Sequence, residues 1–243
     1  MNKWQDPSLS LGERCVAFAE NEMANGVAED KPNSFTSPRL RQYFKICTRL
    51  VNGKEVPIGL TFTAGNWCSA GVSFCLQECL LPGENPLHGY RLGVVEVIAD
   101  MQRAGTYRSV DKVRTGVYKI KVGDPVFFDR SSPNNPASTW WRHIGRVQSV
   151  GSNGNFVCIS GNNGGKWRLS NHNIKQGTLL GFGEYPSSNG VVSVKDKLNS
   201  FVDLSALDIL ALAPLEDTGK NISSDIIDLF DDAFDEYKGA DHD

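Results

Sequence analysis

The chain has 243 residues, 40% hydrophobic and 22% charged, with a formal net charge of −3, proportions that fit one soluble globular domain with a small appendage. From Lys195 onward thirteen acidic residues stand against four lysines, a net of −9 that leaves +6 on residues 1–194, so the body is mildly basic and the tail acidic. No window approaches a membrane-spanning apolar run, Met1 to Pro7 lacks the pattern of a signal peptide, and six irregularly spaced cysteines form neither a disulfide framework nor a zinc set.

In chain order, Ser10-Leu11-Gly12-Glu13 is a capping box that opens a helix through Val16, Ala19 and Met23, stopping at Asn25-Gly26. Residues 30–40 read as loop, Arg39 to Leu50 as a second short helix, and Asn52-Gly53-Lys54 as a turn. A third helix, apolar nearly all round, carries Ala70, Val72, Phe74, Leu76, Cys79 and Leu80 and halts at Pro82-Gly83, which makes it central and buried. Asn85-Pro86 starts a fourth, running to about Ala104-Gly105. After Gly105 the period shortens. Residues 117–122, 125–128, 144–150, 155–160, 166–169 and 178–182 are β-branched or aromatic runs separated by turn residues. Helices first and an antiparallel sheet afterwards give the fold class α+β. Residues 1–186 form the domain, and 187–243 a linker followed by an acidic extension whose segment 222–237 would be an amphipathic helix able to dock on a protein partner.

The third helix starts with Asn66-Trp67-Cys68. If Asn66 caps it, Cys68 lies in the first turn, where free amides and the positive helix end lower a thiol pKa and favour the nucleophilic thiolate. The other reading of such a residue is a buried core cysteine. Of the four histidines, His143 alone opens a strand. Pairing Val150 with Asn155 across the turn Gly151-Ser152-Asn153-Gly154 places Asn162 opposite His143, near enough to orient an imidazole.

Taken together, Asn66-Trp67-Cys68-Ser69-Ala70, then Gly123-Asp124-Pro125-Val126-Phe127-Phe128, then His143-Ile144-Gly145-Arg146-Val147, then Ser160-Gly161-Asn162 resembles the papain-like cell-wall hydrolases, the CHAP and NLPC-type cysteine amidases and peptidases. The resemblance covers about residues 10–185. It implies a papain-like arrangement, N-terminal helices on a C-terminal antiparallel sheet. It also implies a Cys-His-Asn triad: Cys68 as nucleophile, His143 as base and then acid to the leaving amine, Asn162 as orienter. The Cys68 amide would be the first oxyanion donor, with Asn66 or Thr63 as candidates for the second. Asn66, Trp67 and Trp141 are the substrate-binding candidates. Trp140 and Trp141 could stack on sugars or pack beneath the sheet. Many members carry a glutamate where this chain has Ser160.

The activity so implied is cleavage of an amide bond in peptidoglycan; the lack of a signal-peptide pattern and of a wall-binding repeat, with the acidic helical tail, points to a phage lysin or virion-associated enzyme, and no metal, cofactor, nucleic-acid or membrane partner is expected. It would reside in the virion or the host cytoplasm before reaching the wall. The alternative is a virion structural or adaptor protein that keeps the scaffold without turnover, an option raised by the acidic tail and the missing glutamate.

Overall fold

A computed structural model describes residues 2–32, 34, 36–51, 54–58, 66–130 and 142–185. The acidic extension and its expected helix, and with them Thr63, Trp140 and Trp141, lie outside the described residues. Helix α1 (Leu11–Ala24) begins at the predicted capping box, with both arms formed: Ser10 Oγ accepts from the Glu13 amide at 3.3 Å and the Glu13 carboxylate accepts from the Ser10 amide at 2.9 Å. Helix α2 (Pro38–Lys45) stops well short of Leu50, because Thr48–Val51 (β1) pairs with Lys54–Pro57 (β2) as a small hairpin. Helix α3 (Cys68–Cys79) is covered on nearly every side, as its composition predicts. The fourth, α4 (Val94–Arg103), starts later than the Asn85-Pro86 signal. Side chains already satisfy amides of the intervening segment: Leu81 N–H donates to Glu84 and Gly89 N–H to Asp100, each at 2.8 Å.

The six-stranded sheet is antiparallel throughout, in the order β3-β8-β4-β5-β6-β7, from β3 (Tyr107–Ser109), β4 (Pro125–Asp129), β5 (Arg142–Val150), β6 (Asn155–Ser160), β7 (Arg168–Asn173) and β8 (Leu179–Gly183). The fold is therefore α+β. The strand expected over 117–122 is absent. Instead the chain folds back after α5 (Val110–Arg114), with the Tyr118 amide on the Lys112 carbonyl at 3.0 Å and the Tyr118 hydroxyl on Asp124 at 2.8 Å.

Strand alternation sends Phe127, Ile144 and Ile159 toward a core shared with α1–α4, and Val126, Phe128, Val147, Phe156 and Phe182 toward a second core with Val113 and Tyr118. Two contacts show that the sheet curls around that second core. Phe156 on β6 and Phe182 on β8 have ring centroids 5.6 Å apart, and Phe128 on β4 and His172 on β7 are 4.6 Å apart. Each pair is separated by three strand spacings, about 14 Å on a flat sheet. The concave face is thus closed on itself and the convex face carries the helices.

Two glycine contacts fix how α1 and α3 meet this sheet. Gly123 (φ 93°) lies against the backbone of Gly12, so any side chain there would overlap it, and Gly161 lies in the same way against the Trp67 ring. Of the described residues, 2–49 and 57–185 belong to one compact unit. No helix among the described residues is long and apolar enough to cross a membrane.

Candidate active site

Cys68 occupies the first position of α3, and Trp67 is the N-cap, with no side-chain cap of its own. The expected Asn66 cap is not formed. Trp67 is fully buried between Tyr43 and Trp167, with ring centroids 5.9 Å from each, and this packing sets the entry of the chain into the helix. Its indole N–H donates to Glu29 Oε1 at 3.0 Å. Asn66 is exposed, and its side chain meets that of Asn162 at 2.9 Å. With the Asn162 amide oriented to satisfy both its ends, its nitrogen donates to Glu29 Oε1 at 2.9 Å and its oxygen accepts from the Trp67 amide at 3.2 Å. Asn162 therefore ties the residue that precedes α3 to Glu29 and Asn66, without capping the first-turn amides that Asn66 was expected to satisfy. Its left-handed backbone, φ 55°, ends the β6 ladder and frees it for this role.

Cys68 is buried, with 3% of the residue exposed. Burial pushes the thiol above its ordinary value of 9.0, although the backbone amides of Ile144, Ser69 and Cys68 itself and the charge of Arg130 act the other way. This corrects the expectation that the helix end lowers the thiol pKa. Desolvation of a thiolate outweighs the partial charge of the amides when the sulfur is shut in on all sides.

His143 enters β5 directly opposite Phe128. Its ring is 6.2 Å from that of Phe128, and its electrostatic neighbours are Arg130 and His172, so it lies on the concave face while Ile144 faces α3. Burial, and then the charges of Arg130 and His172, hold the imidazole well below its ordinary 6.5, which leaves it neutral near pH 7. It is 3% exposed, and its Nε2 has no hydrogen-bond partner. No hydrogen bond joins His143 to Cys68 or to Asn162. The structure thus gathers Cys68, Asn66, Trp67 and Asn162 at the tip of α3, and brings to that tip the peptide between His143 and Ile144, but not the His143 ring.

The reason lies partly in the register. At the hairpin, Val150 pairs with Phe156 rather than Asn155, and an extra residue between Val147 and Ser149 then restores the expected sum, giving Arg146 opposite Ile159. The pairing stops short of position 162 because β6 ends at Ser160. Three participants left no signal that sequence reading used. Glu29 holds Trp67 and Asn162, Arg130 is the cation sensed by both Cys68 and His143, and His172 bridges Ser170 Oγ at 2.8 Å and Gln176 Oε1 at 3.0 Å. The spacing of Ser170 and His172, two apart on one strand and hence on one face, could have marked the last.

The site offers a neutral thiol near three backbone amides, and the neutral imidazole with its vacant nitrogen lies on the other face of β5. Such groups can attack a carbonyl and stabilise the oxyanion that results, provided the thiol proton reaches a base. No family model, no curated protein and no solved structure matches this chain.

Proposed function

We propose that the protein is a cysteine-dependent amidohydrolase or peptidase of papain-like architecture, acting on an amide bond of peptidoglycan as a phage lysin or virion-associated enzyme. The observation that carries this reading is the placement of Cys68 at the tip of a buried helix, with the Ile144 amide facing its sulfur and His143 the next residue back along the strand. In the reaction, the His143 ring leaves its place beside Phe128 and turns to the α3 side of β5, and the thiol proton passes to its Nε2 as sulfur bonds to the carbonyl carbon. The amides of Cys68, Ser69 and Ile144 are the nearest donors to the oxygen that becomes negative. The imidazolium then protonates the leaving amine as the carbon–nitrogen bond breaks, and water hydrolyses the thioester. Asn162 acts here as a positioning residue for the helix tip. The wild-type chain and Cys68→Ser are compared for release of new amino termini from purified sacculi. Release by the wild type and loss of at least ~10³-fold in the variant is the expected outcome; equal release by both defeats the reading.

A scaffold without turnover is the second reading, favoured by the position of the His143 ring with Phe128 and His172 and by the 3% exposure of Cys68. In that case sacculi remain intact with either chain, and folding is insensitive to Cys68→Ser.

A further inference from the structure

The concave side of the sheet has an opening of its own. A cavity of about 310 Å³ lies between the end of β4 and the connection from β7 to β8, lined by Phe128, Asp129, Arg130, His172, Gln176 and Thr178. Its polar atoms can be accounted for one by one. His172 is engaged on both nitrogens, accepting from Ser170 and donating to Gln176 in the tautomer that satisfies both, so it contributes a ring face stacked near Phe128 and Phe156. Gln176 spends its carbonyl oxygen on His172 and keeps its amide N–H₂ to give. The Thr178 carbonyl is taken by the Asp129 amide at 2.7 Å, which leaves its hydroxyl. Arg130 forms no ion pair or hydrogen bond with a described residue, whereas Asp129 has an interaction partner of its own. What remains is a set of donors around the exposed Arg130 guanidinium, which shares the pocket with the Asp129 carboxylate. Behind Phe128, the buried Nε2 of His143 is also unanswered.

We propose that this pocket receives a carboxylate carried by a peptide ligand, with the Arg130 guanidinium as its ion-pair partner and Gln176 and Thr178 completing the donor set. The planar fork of arginine matches two carboxylate oxygens, and the Asp129 carboxylate beside it disfavours a more highly charged anion. A phosphate dianion would bring excess negative charge against Asp129. Taken together with the Cys68 reading, the substrate class becomes an acidic peptide amide; that step rests on that reading, whereas the carboxylate pocket does not.

The test uses the full chain with Cys68→Ala, so that binding is measured without turnover. Two tripeptides, both amidated at the C-terminal lysine so that glutamate carries the one free carboxylate, are titrated calorimetrically: L-alanyl-γ-D-glutamyl-L-lysinamide, and the same peptide with the α-carboxylate of its glutamate amidated. The acid is expected to bind at least ~10-fold tighter, the factor of a charge-assisted hydrogen bond lost in the amide. Adding Arg130→Gln is expected to make the two affinities equal, and Thr178→Val to reduce the preference without abolishing it. Equal binding by the starting protein, a preference that survives Arg130→Gln, or competition by inorganic phosphate stronger than by the acid peptide overturns the proposal. A preserved acid preference alongside inert sacculi would leave the pocket standing and remove only the hydrolase.

Discussion

Asp124 offers the most direct check on the way this fold is held. Its carboxylate is 2% exposed and accepts from the Tyr118 hydroxyl and the Lys121 amide, both at 2.8 Å on one oxygen, while its backbone carbonyl takes the Val147 amide. Burial raises its pKa from 3.8 to about 7, although those two hydrogen bonds pull it down. Between these values the folded state holds a proton that the unfolded chain has released, so the group's contribution is full below about pH 4 and is lost as pH rises toward 7. The difference between these two values corresponds to ~4 kcal/mol. In Asp124→Asn the amide oxygen can keep both donors and nothing titrates. Urea unfolding of wild type and variant at about pH 4, 5.5 and 7.5 therefore gives a difference in stability that moves toward the variant by up to ~4 kcal/mol across the series. Taking the difference cancels Asp6, Glu13 and Asp30, whose pKa values hydrogen bonds from Ser8, Ser10 and Thr36 lower, with the opposite pH dependence at the acid end. A difference that is flat with pH, or that slopes the other way, refutes the reasoning.

Gly123→Ala forces a methyl group into the Gly12 backbone at a left-handed φ, whereas Gly26→Ala has the same backbone penalty with open space around it. Thermal or urea denaturation should show a loss of roughly 3 kcal/mol or more for the first and about 1 kcal/mol for the second, and equal losses would mean that the contact is not close. The raised Cys68 thiol predicts that its alkylation by iodoacetamide, followed by peptide mass spectrometry, climbs steadily from pH 6 to pH 9. A plateau near neutrality would reveal a thiolate–imidazolium pair instead.

Where the signal was local, it was readable. Ser10 and Glu13 lie three residues apart and cap α1 as written, and the apolar surround of α3 follows from its composition. The Asn66 cap failed because its partner, Asn162, arrives from the far side of the chain and no local pattern encodes it. The face of His143 was hidden for a related reason. Both faces of the curled sheet are covered, by α1–α4 on one side and by Tyr118 and Val113 on the other. Ile144 and Val147 are therefore both buried, and β5 lacks the polar alternation that would tell which way its histidine points. Register came out right near Arg146 only because a one-residue slip at the hairpin and an extra residue before Ser149 cancel.

Strand β8, last in sequence among the described elements, is inserted between β3 and β4 rather than added at the rim. During synthesis, then, β3 and β4 wait with open flanks until Leu179–Gly183 has left the ribosome, and Phe182 reaches the concave core only at that moment. A nascent chain halted before Leu179 cannot close this half of the molecule, and its exposed strands are where chaperones would find it.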